Sequence, residues 1–205
     1  MTVADRKAKE KQELKETILQ GAKKLFVEKG VEHTTIRNIA QKINYSVGTI
    51  YVYFKDKNDI LYELHTLGFL QLAADMRVLF NVNDPMERLK ALGRVYINFA
   101  LNNTDMYDLM FSLRAPMEFL DADNKAEWDE GTNAFHLLKT TVGECIAAGY
   151  FKGTELEATT FMIWSAVHGM CSLHISERVK GVNLHEPETM VTRSFEAFVK
   201  MIERK

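Results

Sequence analysis

Two short amphipathic stretches joined by a tight turn, within residues 34–61, constrain the fold of this chain more than any other feature. Asn44, Tyr45 and Ser46 separate the stretches and are suited to a turn and to capping a second helix. Two helices joined this closely, the second with small and hydroxyl residues outward, predict a helix-turn-helix that places its second helix in a DNA major groove. The helical spacing is carried by Ile36, Ile39, Ala40 and Ile43 and then by Val47, Ile50, Tyr51 and Phe54.

The second stretch and its flanks resemble the recognition-helix region of the TetR family of bacterial regulators. The resemblance covers residues 14–64 and implies an all-α, dimeric, ligand-responsive transcriptional regulator, most often a repressor. The residues that carry it are Ser46-Val47-Gly48-Thr49-Ile50-Tyr51-Val52-Tyr53-Phe54, then Lys57 and Ile60-Leu61, with Ile18, Ala22, Leu25, Phe26, Gly30 and Thr34-Thr35-Ile36 upstream.

Matching family positions imply which residues contact double-stranded operator DNA. Base-edge and groove-floor contacts are expected from Arg37, Gly48, Thr49 and Val52, with Ser46 and Val47 beside them. Phosphate contacts are expected from Thr35, Tyr51, Tyr53, Lys55 and Lys57. Val52 occupies a variable place in the family pattern, so the operator sequence does not follow from the resemblance.

Composition agrees with a helical chain of two domains, divided at residues 1–58 and 59–205. Hydrophobic residues make up 46% of the 205 residues, and there are only three prolines. Residues 1–62 contain 12 lysines and arginines against 8 aspartates and glutamates, whereas the remainder contains 14 against 20. A basic head on an acidic body suits a protein that contacts phosphates with one end only, although chance variation in surface charge explains this asymmetry equally well.

Caps and breaks predict the course of the helices after a frayed, charged N-terminus. The predicted helices run from Gln12 to Glu28, through the helix-turn-helix, from Lys57 to Phe80, from Pro85 to Asn102, and from Thr104 to Leu113, where Arg114-Ala115-Pro116 breaks the helix. A loosely patterned stretch to Asn124 then leads into a helix that ends near Gly149. The last two predicted helices run from a Thr154 cap to Val179 and from Pro187 onward.

The body is rich in adaptable apolar residues, which favours a pocket for a small apolar or amphipathic effector. Each of these residues taken alone is also suited to an ordinary core position. The predicted pocket residues are Phe69, Met76, Phe99, Met106, Met110, Phe111, Trp128, Phe161, Trp164 and His168.

The last two predicted helices each carry two apolar stripes, which indicates burial on two sides. Together with the family resemblance, this predicts a four-helix homodimer interface, although an internal core would explain both stripes too. The predicted interface residues are Met162, Ala166, Gly169, Leu173, Val191, Phe195, Phe198 and Ile202.

The segment from Trp164 to Gly169 resembles a Trp-x-x-x-His-Gly signature of one class of TetR C-terminal domains. His168 within it is suited equally to donating a hydrogen bond to an effector and to a structural role. The resemblance identifies no ligand.

Patterns for other functions are weak, so we expect no catalytic residue, no cofactor and no metal. His168, Cys171 and His174 are spread around a helix in a poor arrangement for one metal ion. The uncharged stretch at residues 161–175 is shorter than the ~20 residues that span a bilayer. Two cysteines and no signal peptide predict a cytoplasmic protein without a membrane partner. The alternatives are a helical small-molecule-binding or enzymatic protein that does not use its DNA-binding head, and a partner-binding adaptor without a pocket.

Overall fold

The computed structural model of the chain describes residues 2–111 and 129–204. Within these ranges it contains α-helices and no β-strand, which confirms the predicted all-α fold. The predicted break at residues 114–116 and the predicted pocket residue Trp128 lie outside the described residues. The helices are α1 (Val3–Lys29), α2 (Ile36–Lys42), α3 (Val47–Tyr51), α4 (Lys57–Arg77), α5 (Pro85–Asn102), α6 (Thr104–Phe111), α7 (Asp129–Ala147), α8 (Leu156–Ile175) and α9 (Met190–Ile202), with 3-10 turns at Val78–Asn81, Arg178–Gly181 and Pro187–Thr189.

The first helix begins at Val3, so the predicted frayed end and start at Gln12 are wrong. Thr2 and Asp5 form a capping box, in which the Asp5 amide donates to the Thr2 hydroxyl and the Thr2 amide donates to the Asp5 carboxylate. Arg6 and Glu10 then pair one turn apart on the exposed surface. A cap and charge pairs within one segment stabilise a helix without an apolar face, because each acts between residues three or four apart.

Other helix ends differ from the prediction by local capping chemistry. α4 ends at Arg77 and tightens into the 3-10 turn Val78–Asn81 instead of continuing to Phe80. α8 is capped by Glu155 and not by Thr154, since the Glu155 carboxylate accepts from the amides of Glu157 and Ala158. This helix ends at Ile175, four residues before the predicted end at Val179.

The described chain divides into two compact units. The first comprises the described residues of Met1–Gly68 and of Asp108–Glu127, and the second those of Phe69–Tyr107 and of Trp128–Lys205. α4 and α6 therefore each contribute residues to both units. The division inside α4 falls after Gly68, whereas the sequence-based boundary follows residue 58; that earlier boundary stays a prediction.

The first unit packs α1 to α4 around one apolar core. Ile18 of α1, Ile39 of α2, Ile50 of α3 and Ile60 of α4 are all 0% exposed, and Leu109 of α6 joins the same cluster. A Cβ placed on Gly21 of α1 would lie 2.3 Å from Ile43 Cγ2, so only glycine permits this close approach of α1 to the end of α2. The core thereby fixes α3 with one face inward and the other in solvent.

The second unit packs α5 against α7 and α8, and α8 against α9. Its apolar core includes Met86 and Leu89 of α5, Val142 and Cys145 of α7, and Ile163 of α8. These elements come from distant parts of the chain, so the body depends on long-range packing more than the first unit does.

A buried arginine fastens the turn after α4 to α5 and α7. Arg88 is 6% exposed. Its Nε and Nη2 donate to the Val82 carbonyl at 2.9 and 2.7 Å, and Nη1 donates to the Glu144 carboxylate. The guanidinium also lies over the Phe80 ring at 5.0 Å from its centroid. The buried cation therefore has a carboxylate, a carbonyl and an aromatic ring as partners, which offset the cost of burying its charge.

Candidate nucleic-acid interface

Both helices of the helix-turn-helix begin with a hydroxyl side chain that caps them. The Thr35 hydroxyl accepts from the Asn38 amide at 3.1 Å, and the Asn38 side chain accepts from the Thr35 amide at 3.0 Å. At α3, Ser46 Oγ accepts from the Thr49 amide at 3.0 Å. Asn44, in the turn, has a φ of 59°, a left-handed conformation that asparagine tolerates better than most residues. Local capping and one turn residue thereby set the direction of α3.

The solvent side of this recognition helix carries Gly48, Tyr51 and Val52, which we call the α3 surface. Tyr51 is 57% exposed and Val52 is 72% exposed, and Gly48 is exposed as well. Arg37 on α2 and Lys55 after α3 are exposed cations on the neighbouring segments. The structure thus brings together an apolar and aromatic surface with positive charge nearby in the chain.

Thr35 and Ser46, which cap α2 and α3, are exposed as well, whereas four other predicted DNA-contact residues are less accessible. Val47 and Thr49 are half-buried, and Tyr53 is half-buried against the core of the first unit. Lys57 is also half-buried, and its Nζ donates to the Val31 carbonyl at 2.6 Å. Lys57 therefore holds the segment between α1 and α2, and its phosphate contact stays a prediction.

Sequence reasoning overlooked Tyr45 as a candidate for the interface. This aromatic residue is 47% exposed in the turn directly before the Ser46 cap. The signal in the sequence was an aromatic side chain in a short turn, where no core position exists for it. A phenol at this place is suited to contacting a phosphate oxygen.

In the second unit, two tyrosines and a histidine form a polar cluster. The hydroxyls of Tyr96 and Tyr107 lie 2.9 and 2.7 Å from His168 Nδ1, and 3.3 Å from each other. Trp164 lies beside this cluster, with its ring 6.0 Å from the His168 ring. Burial raises the pKa of Tyr96 and lowers the pKa of His168. His168 Nδ1 therefore has protein partners in this structure, and its role toward a ligand stays a prediction.

The predicted pocket residues are divided between the two units. Phe69, Met76 and Phe99 are buried and Met106 is half-buried in the second unit. Met110 and Phe111 belong to the first unit. Phe161 is 59% exposed, with its ring in edge contact with Trp164.

The predicted interface residues divide by helix. On α8, Met162 is 54% exposed and Leu173 is 53% exposed, with Ala166 and Gly169 half-buried between them. On α9, Val191 and Phe195 are 3% and 6% exposed within the second unit itself. Phe195 rests on Gly93 of α5, where a Cβ would lie 2.5 Å from its ring. Phe198 and Ile202 are half-buried and pack on the core of the second unit.

A groove of about 400 Å³ lies between α5 and α9. Its floor is apolar, from Ile97, Phe195 and Val199, and Arg94 and Glu196 stand among its charged walls. The predicted pocket residues do not line this groove, so it is a separate feature of the second unit.

Both cysteines are buried, and burial raises the pKa of Cys145 and of Cys171 to about 12. Thiols held in this protonated state are poor nucleophiles. Among the described residues, no cluster of histidine, cysteine, aspartate or glutamate could hold a metal ion. None of the helices at residues 2–111 and 129–204 is long and apolar enough to cross a bilayer.

Comparison with known proteins identifies the family over most of the chain. The family description "Bacterial regulatory proteins, tetR family" matches residues 18–64, and "Tetracyclin repressor-like, C-terminal domain" matches residues 89–201. The transcriptional regulator HbdR of Aromatoleum sp. (strain CIB) is 28% identical over 168 residues, which cover 80% of this chain and 71% of HbdR. A helix-turn-helix regulator of Staphylococcus aureus (strain USA300) is 41% identical over 54 residues, or 26% of this chain and 29% of that regulator.

Solved structures show the same fold. The fatty acid degradation regulator FadR from Bacillus halodurans superposes with a TM-score of 0.73 at 18% identity, covering 93% of this chain and 97% of that one. FadR from Bacillus subtilis in complex with stearoyl-CoA gives a TM-score of 0.69 at 18% identity, covering 91% and 98%. With its capped and exposed α3, its helical body and both family matches, the chain belongs to the tetR family and is a ligand-responsive, DNA-binding transcriptional regulator.

Proposed function

We propose that this protein is a repressor that binds a pseudo-palindromic operator as a two-fold homodimer and is released from it by a small amphipathic effector. The observation that carries the proposal is the exposed α3 surface, fixed by its caps and a fully buried Ile50. One recognition helix per chain and a symmetric dimer favour two half-sites about one helical turn apart, or somewhat more. We place its action in the cytoplasm, with the DNA.

The dimer proposal rests on an apolar face of α8 that its own subunit leaves exposed. Met162 and Leu173 are each more than half exposed and lie on the same side of this helix. Ala166 and Gly169 lie between them in the chain, and small residues permit close approach of a second helix. Met201 of α9 is 70% exposed and extends the apolar surface that a second copy could cover.

The effector proposal rests on the aromatic and methionine content of the second unit. Phe69, Met76 and Phe99 supply apolar surface there, and the cluster around His168 supplies polar groups among aromatic rings. Such a combination suits a ligand with an apolar body and a polar end. Because FadR from Bacillus subtilis was solved with stearoyl-CoA, we propose a fatty acyl-CoA as the first effector to test.

Binding-site selection from random DNA with the full-length protein tests the function. We expect retention of a two-half-site sequence at physiological salt, and release by the effector. No retained DNA would instead favour a helical small-molecule-binding or enzymatic protein that does not use its DNA-binding head. A single unpaired half-site would contradict the dimer.

Effector and operator should weaken each other's binding by the same factor. α4 belongs to both units and is the proposed link between them, and couplings of this kind are typically ~1–3 kcal/mol, or about 5- to 150-fold. Calorimetry of stearoyl-CoA with and without operator measures this factor. Trp164→Ala should weaken effector binding if the pocket lies at the His168 cluster. Equal effector affinities with and without DNA, for a ligand shown to bind the body, would refute the coupling.

Replacing Gly48 with alanine should stabilise the protein and weaken its binding to the operator. A Cβ on this exposed residue would meet only Ser46 Oγ, at 3.7 Å, so packing within the protein does not require glycine. Helical glycine costs about 0.5–1 kcal/mol relative to alanine. We expect Gly48→Ala to raise the free energy of unfolding by that amount and to weaken operator binding about tenfold or more, because the added methyl group holds α3 away from the groove.

Gly143→Ala is the matched control for these two effects on stability and operator affinity. Gly143 lies in α7, where a Cβ would make ordinary contacts with Leu156 at 3.8 and 3.9 Å. This variant should gain stability and keep wild-type operator affinity. Denaturant unfolding and fluorescence anisotropy measure the two quantities, and wild-type affinity in Gly48→Ala would place the DNA contact elsewhere.

A further inference from the structure

We propose that Val52 contacts the 5-methyl group of a thymine in each operator half-site and thereby determines part of the sequence preference. The inference rests on the proposed binding of α3 in the major groove. It is carried by what the capping of α3 leaves available on its solvent side.

The hydroxyl groups of Ser46 and Thr49, at the start of α3, are largely used within the protein. Ser46 Oγ and Thr49 Oγ1 lie 2.8 Å apart, and Ser46 Oγ also accepts from the Thr49 amide. One of the two hydroxyl hydrogens is therefore taken up in the bond between these residues. The capacity of these two residues to form hydrogen bonds with a base edge is correspondingly small.

Apart from the Tyr51 hydroxyl, for which the family resemblance implies a phosphate contact, the α3 surface is apolar. Val52 is 72% exposed, more than any other large hydrophobic residue that the structure describes. It caps the C-terminal end of α3 with right-handed helical backbone angles, φ −70° and ψ −25°. Gly48, one turn earlier, adds no side chain that could shield a base from the valine. A single exposed valine is common on protein surfaces, but this one stands on the helix that the fold presents to the groove.

The chemistry of the major groove narrows the partner of such a side chain. Thymine alone among the four bases presents a methyl group there, whereas cytosine has only a hydrogen atom at the same C5 position. A valine against thymine buries two apolar groups together. Against cytosine the same side chain would lack this methyl partner and would bury less apolar surface.

Deoxyuridine substitution tests this contact, because it removes only the methyl group. In the selected operator, each thymine is replaced in turn, symmetrically in both half-sites, and affinity is measured by anisotropy with the full-length protein. We expect one position per half-site to lose about fourfold or more in affinity, the value of one buried methyl group. In Val52→Ala that position should lose its sensitivity to deoxyuridine, while the other positions keep theirs.

Val27→Ala is the matched control, since Val27 is 47% exposed on α1 in the same unit. It should keep the wild-type sensitivity at every thymine. Uniform tolerance of deoxyuridine by a protein that binds its operator would overturn the role of Val52 and leave the DNA-binding function standing. The same would follow if Val52→Ala kept the wild-type sensitivity, since another residue would then contact the methyl group. Failure to retain any DNA would overturn both proposals, and thermal unfolding of each variant distinguishes that outcome from loss of fold.

Discussion

Replacing Met162 and Leu173 together by glutamate is expected to yield a monomer whose affinity for the two-half-site operator falls about 10²- to 10⁴-fold, the gain that joining two binding heads provides. Both side chains are more than half exposed on α8, so the subunit itself should fold normally. In a dimer they would be covered, and four carboxylates brought into an apolar contact would oppose association. Sedimentation velocity reports the oligomeric state, and anisotropy reports the affinity.

Val182→Glu is the control for added charge, because Val182 is 58% exposed in the second unit but outside α8 and α9. This variant should remain dimeric and bind the operator as the wild type does. If the double variant stayed dimeric, the two-fold contact would have to lie on another face of the subunit.

Acid is expected to destabilise the first unit through His65, by about 3 kcal/mol in total. The side chain is 1% exposed, and burial lowers its pKa to about 4 from the ordinary 6.5. Above pH 6.5 neither state carries the extra proton, so the full stability is present. Between pH 6.5 and 4 the unfolded chain binds a proton that the folded state excludes, and stability falls. Below pH 4 both states are protonated, and this loss levels off.

Hydrogen exchange of amides in α1 to α3 at pH 7, 5.5 and 4.5 measures this dependence in the first unit. His65→Leu should show a shallower loss of stability with falling pH, whatever its stability at pH 7. His33→Gln, at an exposed position in the same unit, serves as the matched control. Equal pH slopes in His65→Leu and the wild type would exclude His65 as the responsible group, and an NMR titration of the imidazole would report its pKa directly.

The fold of the first unit could be predicted because its signals are local. Thr35 and Ser46 each cap a helix by accepting a hydrogen bond from the amide three residues later. Ile39 and Ile50 belong to helices whose apolar spacing can be read from a short stretch of sequence. Such contacts are encoded by neighbours in the chain. The extended start of α1 was missed because a capping box and charge pairs stabilise it without an apolar stripe.

The second unit was harder to predict because its contacts are long-range. Tyr96 and Tyr107 meet His168 across 72 and 61 residues, and neither was anticipated as its partner. Periodicity finds an apolar stripe but does not state what covers it. On α9 the stripe that contains Val191 and Phe195 is buried within the subunit, whereas Met201 beside it is exposed. The packing of Phe195 on Gly93 is one of the contacts that turn this stripe inward.

The clamp that Arg88 makes on the turn after α4 limits how that helix can move. Sliding α4 along its axis would pull the Val82 carbonyl away from two guanidinium N–H groups. Each such charge-assisted bond contributes about 1.5–3 kcal/mol. Losing both would therefore cost at least as much free energy as the ~1–3 kcal/mol that one ligand typically supplies as coupling. Swinging the helix about this fixed end leaves both bonds in place. If α4 links effector and DNA as proposed, we expect rotation about its C-terminal end to be easier than translation along its axis.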